Sequence, residues 1–388
     1  MQPVILHNRF KQLVILFLGF MHKPVIGPKT MIRGKYNAEG FARKEAMLDL
    51  GVHNKLAGPI AAAMNMGTSK ATKDQYSTAI RHVDRVEKEL GVNMHLPWDV
   101  TKTLNYVGFL LEVRKCSAKT VGCYLSGIRM WHLCNGFDQT CLRPDIVNLV
   151  LKGREHFEEA KKTLEGKPKR VAMTVPMMKL LLRKIRESEM SGELKTRVWL
   201  ISCLMWNGSL RVSEVLSRTE NEFDPLTTLC AGDVNCKTIA NGVEDVEVLQ
   251  YHIKSPKERR IGNGVKLEIF ANGSFCCPVR AWKAWMRKVT LKEGQPVFMK
   301  TSIKCFTGKE FNRILTTLLS DLTEGTDGFV KSHSFRSGVA TEMGRMGCSE
   351  EEIMAQGRWS SQAFKAYIKM GSLKRIQLAA KLRKIVCD

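Results

Sequence analysis

The chain has 388 residues, 44% of them hydrophobic and 26% charged, proportions that suit a soluble globular protein long enough for two domains. Its 61 lysines and arginines outnumber 38 aspartates and glutamates, a formal net charge of +23, and such a field draws polyanions such as nucleic acid, ribosomal RNA or an anionic membrane surface. The 12 cysteines are scattered, with no CxxC pair and only Cys276 and Cys277 adjacent, which argues against a disulfide framework or zinc site and for free thiols in a reducing compartment.

In chain order, the first readable feature is the apolar run LVILFLGFM at residues 13–21, far short of the roughly 20 residues that cross a membrane. His7, Arg9 and Lys11 precede it as in a leader, but no small-residue cleavage site follows. Residues 1–65 are therefore read as an N-terminal extension, either a packing segment or a leader, and no membrane partner is expected. From 66 to 158 the pattern is helical. In DQYSTAIRHVDRVEKELG, the residues Tyr76, Ala79, Ile80, Val83, Val86 and Leu90 recur at helical spacing and Gly91 stops the run. DVTKTLNYVGFLLEVRKC predicts a second helix, and SAKTVGCYLSGIRMWHLCNG a third, capped by Ser117 and ended by Asn135-Gly136. A short helix is expected after Pro144, making a compact domain of four or five helices.

Residues 159–173 read as a basic linker: lysine-rich, with Gly166 and Pro168, and without apolar periodicity. Residues 174–388 form the second predicted domain. MMKLLLRKIRES and KTRVWLISCLMWNGSLRVSEVL are helical, the latter broken at Asn207-Gly208. The period then changes to two in VLQYHIK and GVKLEIF, around the turn-rich SPKERRIGNG, which predicts a β-hairpin with Lys254 at its start. Helices return from Pro278 onward, and SEEEIMAQG carries a capping box of Ser349 with Glu352 and a Gly357 stop. The expected fold is mainly α with a small β-hairpin or sheet, a helical domain followed by an α+β domain.

The candidate functional residues lie in this second domain: Arg211 and Glu214 in SLRVSEVL, Lys254 in HIKSPKERR, His333 and Arg336 in HSFR, and Trp359 and Tyr367 in GRWSSQAFKAYIK. A tyrosine that attacks a phosphodiester crowds charge onto two non-bridging oxygens, and fixed positive donors must meet that charge. Arginine does so with a planar, permanently charged fork, whereas lysine can release a proton to a leaving oxygen. Taken singly, each residue has a plainer reading: a surface ion pair for Arg211 and Glu214, core packing for Trp359, an amphipathic surface phenol for Tyr367.

Taken together, the order and spacing resemble the tyrosine recombinases (phage-type integrases) over residues 68–388, and the stretch from His333 to Tyr367 is the most specific part. The resemblance implies a SAM-like, DNA-binding core domain at 66–158 and a catalytic domain at 174–388. Arg211 and Arg336 would clamp the scissile phosphate, with His333 as hydrogen-bond donor or proton carrier and Trp359 at a position that is His or Trp in the family. Lys254 would be general acid to the leaving 5′-hydroxyl, Tyr367 the nucleophile forming a 3′-phosphotyrosyl link, and Glu214 the acidic residue that steadies the network. Two departures stand out. Tyr367 follows Trp359 by eight residues, where nine is common in bacterial members, and Lys257 rivals Lys254. The wording GRWSSQAFKAYIK is closer to recombinases of eukaryotic mobile elements (crypton or DIRS-like) than to bacterial resolvases.

The expected activity is site-specific breakage and rejoining of double-stranded DNA for integration or excision of a mobile element, with no cofactor and no metal. A type IB topoisomerase and a recombinase retired to DNA binding are the alternatives. The tail GSLKRIQLAAKLRKIVCD has apolar residues at roughly helical spacing. It reads either as a helix on its own core or, by the resemblance, as one docking on a neighbour in a homo-tetramer on DNA. The compartment would be the nucleus of a eukaryote or otherwise the cytoplasm.

Overall fold

The computed structural model describes residues 42, 44–166, 169–240, 245–254, 264–320 and 328–366. The chain divides into two units, Met1–Glu165 and Gly166–Asp388.

The first unit is helical: α1 (Lys44–Asp49), α2 (Asn54–Met66), α3 (Lys70–Leu90), α4 (Val100–Gly108), α5 (Ala118–Cys134) and α6 (Asp145–Leu164). The caps predicted from sequence form. Ser117 accepts the Thr120 amide at 3.2 Å, and Gly91 ends α3 in the left-handed region with φ 64°. The α3 stripe Ala79, Ile80, Val83 and Val86 is buried against Val121, Leu125 and Ile128 of α5, whereas Leu90 at the helix end is exposed. Tyr106 of α4, fully buried, donates its hydroxyl to the Ala79 carbonyl at 2.8 Å, locking α4 to α3.

The second unit opens with β1 (Lys169–Arg170), α7 (Val175–Glu187), α8 (Gly192–Asn207) and the four-residue α9 (Val212–Val215). Three antiparallel strands follow, β2 (Val234–Ala240), β3 (Asp245–Ile253) and β4 (Val265–Phe270), with β3 central and Tyr251 facing Val234 on one side and Leu267 on the other. The chain then forms α10 (Pro278–Met286), α11 (Gly308–Leu318), β5 (Gly328–Phe329), α12 (His333–Met346) and α13 (Glu350–Gly357). From Val198 onward helix α8 is apolar nearly all round, and residues 200–205 are all buried, so this half forms the centre of the unit.

Four sequence expectations change. The helical unit starts before residue 66, because Ala42 ahead of α1, Ala46 and Met47 within it, and Ala57 and Ala61 of α2 are part of its core. The helix after Pro144 is not short: α6 runs 20 residues to Leu164, through the first part of the expected linker. Strong helix formers and the pair Lys161–Glu165 (3.5 Å) sustain it there without an apolar stripe. Residues 169–173 belong to the second unit, since β1 pairs in parallel with β5 and Met173 is fully buried in its core. Strand β2 was missed because only Val234 of its seven residues is buried, so no alternation marks it. Residues 1–41, Lys257 and the tail from 367 to 388 lie outside the described residues. No described helix is long and apolar enough to cross a membrane.

The approach of α12 to the chain at Met173 is tight. A Cβ on Gly338 would meet the Met173 carbonyl oxygen at 2.1 Å, so only glycine allows this crossing. The Met173 amide donates to the Ser334 carbonyl at 2.8 Å, and the Ser332 amide to Asn312 Oδ1 at 2.7 Å. The start of α12 is thereby fixed from two directions.

One buried histidine makes the helical unit sensitive to pH. The Trp98 amide donates to His132 Nε2 at 3.2 Å, so Nδ1 carries the ring proton and donates to the Ile128 carbonyl at 2.9 Å. Burial pushes the His132 pKa down to about 4. The unfolded chain therefore binds a proton that the folded unit refuses, and stability present above pH 6.5 is lost as pH falls toward 4. The helical unit should lose about 2 kcal/mol between pH 7 and pH 5, measured by hydrogen exchange of the α5 amides corrected for intrinsic rates. His132→Gln should flatten that dependence.

Candidate active site

Arg211 directly precedes α9, and Glu214 stands on the first turn of that helix with a side chain only 3% exposed. Its carboxylate is held from three sides. Oε1 accepts from Arg211 Nη1 at 2.9 Å, while Oε2 accepts from the Arg211 amide and from Arg358 Nη2, each at 2.9 Å. One buried anion thus orients two guanidinium groups that lie far apart in sequence.

Arg358 continues the network. It sits just past α13 in the left-handed region, with φ 52°. It donates from Nη1 to the Gly208 carbonyl at 2.8 Å and from Nη2 to the Ser209 carbonyl at 3.3 Å. The same Ser209 carbonyl accepts from Arg336 Nη1 at 2.5 Å, and Arg336 Nη2 donates to the Gly357 carbonyl. Arg336, 1% exposed, lies with its guanidinium carbon 4.6 Å from the centre of the Trp359 ring, a cation–π contact that covers one face of the fork. A Cβ on Gly357 would fall 1.8 Å from Trp359 Cζ3, so the absence of a side chain there is what lets the indole reach Arg336.

Arg211, Glu214, Arg336 and Trp359 are therefore brought into one connected set, although they derive from three separate segments. His333 is the first residue of α12, half-buried and one turn ahead of Arg336. Trp359 packs on Phe364, their rings 5.8 Å apart, and Phe364 is fully buried with Ala340 and Ile353 in a small cluster of its own. That cluster anchors the last described turn, Gln362–Ala366. Tyr367 itself lies outside the described residues.

Lys254 follows the last residue of β3, and its Nζ lies 2.6 Å from Asp233 Oδ2. The strand is tied to the arginine network by Tyr251, fully buried, whose hydroxyl donates to the Glu214 carbonyl at 2.8 Å. Burial raises the Tyr251 pKa well above its ordinary value, helped by the negative charges of Glu214 and Asp233 and opposed by Arg358. This phenol is a structural donor and remains protonated.

Sequence reasoning missed three members of the site: Arg358, Asp233 and Tyr251. Arg358 lies in a helix stop where no periodicity marks an inward side chain. Asp233 is 21 positions from Lys254, and only the strand pairing Val234↔Tyr251 brings their segments together. Tyr251 was legible as a buried strand residue, but its partner was not. Among the described residues no group of His, Cys, Asp and Glu is arranged to hold a metal ion.

No protein-family model and no curated protein sequence matches the chain. Solved structures do. The XerH site-specific recombinase bound to palindromic difH substrate, in a post-cleavage complex, is similar with a TM-score of 0.55 and 10% identity, covering 88% of each chain. A lambda integrase dimer bound to a COC′ core site is similar at a TM-score of 0.48 and 13% identity, over 78% of this chain and 72% of that one. The Tn1549 transposon integrase with transposon right end DNA gives 0.47 and 12%, over 82% and 95%. At such identities the likeness is one of fold.

The central role of Glu214 has a measurable consequence. Glu214→Ala leaves Arg211 and Arg358 facing each other without their shared anion, and should cost about 3 kcal/mol or more. Arg358→Ala should cost less, because Arg211 still neutralises the carboxylate. Hydrogen exchange over residues 211–216 in the full chain reads both effects.

Proposed function

We propose that this chain, which has the fold of the tyrosine recombinases, is a site-specific DNA recombinase that cuts and rejoins strands through a 3′-phosphotyrosyl intermediate. The observation that carries the proposal is the buried network of Arg211, Glu214, Arg358 and Arg336, roofed by Trp359. Two arginines whose forks are held by carboxylate and carbonyl acceptors are rigid before substrate arrives, and preorganised charge is what a phosphoryl transition state rewards. The net charge of +23 supplies the attraction for the DNA backbone.

In this mechanism Arg211 and Arg336 meet the non-bridging oxygens of the scissile phosphate and His333 donates to one of them. The Tyr367 oxygen bonds to phosphorus as the bond from phosphorus to the 5′-oxygen breaks. The phenol releases its proton to solvent water, and Lys254 delivers one to the departing 5′-oxygen, so the step leaves a 3′-phosphotyrosine, a neutral lysine and a free 5′-hydroxyl. Attack by a 5′-hydroxyl from another strand reverses the step and releases the tyrosine. The phosphodiester energy is kept in the covalent link, so the balance needs no high-energy cofactor. Assembly as a homo-tetramer on double-stranded DNA through residues 371–388 belongs to the same reading, as does action in the nucleus of a eukaryotic cell or the cytoplasm of a bacterial one.

A nicked suicide substrate that loses its 5′-hydroxyl fragment should trap wild-type protein as a covalent DNA adduct, and Tyr367→Phe should form none. Arg336→Ala should slow adduct formation by about 10²–10³-fold. Absence of any wild-type adduct across element ends would sink the enzyme reading in favour of DNA binding alone, and supercoil relaxation by the isolated monomer would move it to a topoisomerase. DNA affinity should fall steeply with salt, log K against log salt having a slope of about −0.9 for each phosphate neutralised.

A further inference from the structure

We infer that Asp233 is a positioning residue for the proton-donating lysine: it holds the Lys254 ammonium in place for the leaving 5′-oxygen. This rests on the reading of Lys254 as general acid. Lysine reaches its task on a flexible four-carbon stem and carries about 2 kcal/mol of rotamer entropy. An unheld ammonium at the end of a strand is a poor match for a step in which a displacement of about 1 Å can cost 10²-fold.

Asp233 has the geometry to remove that freedom. Its carboxylate is immobilised before Lys254 is considered, because Oδ2 accepts the Cys230 amide at 2.6 Å and so closes the turn Ala231–Asp233. The same oxygen lies 2.6 Å from Lys254 Nζ, and Oδ1 lies 3.6 Å from His252 Nδ1. The side chains of Asp233 and Lys254 are 11% and 18% exposed, so the pair is largely withdrawn from solvent and its geometry is well defined. Exposed ion pairs such as Lys115–Glu112, by contrast, contribute little to either stability or position.

The pair also sits on the correct side of the molecule. Tyr251, three residues before Lys254 on β3, bonds the Glu214 carbonyl, and its phenol feels the charges of Glu214, Asp233 and Arg358 together. The strand that carries Lys254 is thereby tied to the segment of Glu214, the carboxylate that orients Arg211 and Arg358. Two anions divide the work: Glu214 orients Arg211, a donor to the non-bridging oxygens, and Asp233 orients the donor to the bridging one. During cleavage one Lys254 N–H proton passes to the 5′-oxygen as its bond to phosphorus breaks. The lysine is left as a neutral amine, and Asp233 remains a carboxylate throughout.

The test compares an ordinary suicide substrate with one whose bridging 5′-oxygen is sulfur, a leaving group that departs as thiolate without a proton. Lys254→Ala should lose about 10²–10⁴-fold in cleavage of the oxygen substrate and recover to within about threefold of wild type on the sulfur substrate. Asp233→Asn keeps the acceptor for the Cys230 amide, so the turn is preserved. It should lose about tenfold or more on oxygen and recover on sulfur in the same way, with DNA affinity unchanged. Equal slowing on both substrates would make Asp233 a merely structural residue, and wild-type rates on both would remove it from the mechanism. If Lys254→Ala is slow on both substrates, Lys254 is not the proton donor. The assignment under the proposed function then fails first, and the role of Asp233 with it. Asp233→Glu is a second variant that keeps the charge but moves it, and it should be rescued by sulfur as well.

Discussion

A carboxylate that is almost wholly out of water between two arginines is the constraint on which the second unit depends. Burying an ion costs several kcal/mol unless every lone pair is met. Glu214 meets that condition with Arg211 Nη1, the Arg211 amide and Arg358 Nη2. The requirement runs in both directions, since the anion also holds the two partly buried guanidinium groups in place. The short helix α9, the left-handed turn after α13 and the carbonyls at Gly208 and Ser209 are consequently held to one another by charge-assisted bonds.

From that anchor the other parts of the site acquire fixed positions. Ser209, itself in the left-handed region with φ 45°, turns its carbonyl toward both Arg336 and Arg358. Arg336 is seated by α12, whose first turn is pinned at Ser332 and Ser334 and whose next turn presses Gly338 against Met173. The sheet joins through Tyr251, which reaches from the centre of β3 to the Glu214 backbone. Strand, helix start and helix stop converge on polar groups that meet one another inside the unit. The chemistry proposed for the site uses the same rigidity: donors already oriented by the protein need no reorganisation when phosphate charge develops.

Local patterns were read well wherever a residue and its consequence lie within a few positions. The Ser117 and Ser349 caps, the Gly91 stop, the break at Asn207-Gly208 and the pairing of VLQYHIK with GVKLEIF each depend on contacts between near neighbours or on simple alternation. Boundaries governed by exposure were read less well. Strand β2 lies at the sheet edge with a single buried residue, and the end of α6 persists without an apolar face, so neither leaves a periodic trace. The core contribution of α1 and α2 was hidden for a related reason, since it is made largely by alanines that stand out in no hydropathy pattern.

The class of chemistry proposed for this chain is legible in the sequence itself. Arginine forks, a hairpin lysine, a helix-opening HxxR and a terminal phenol on a chain of net charge +23 limit what the protein can do with a polyanion. The sequence also determined those helices whose caps and periodicity are local, α3, α5 and α13 among them. Only the tertiary structure decided which cations share an anion. Arg358 and Glu214 are 144 positions apart, Arg336 and Ser209 are 127, and Lys254 meets Asp233 only because β3 folds back along β2. Residues at such separations are paired by burial, which makes each unpaired charge too costly to leave alone, and no spacing along the chain records that cost.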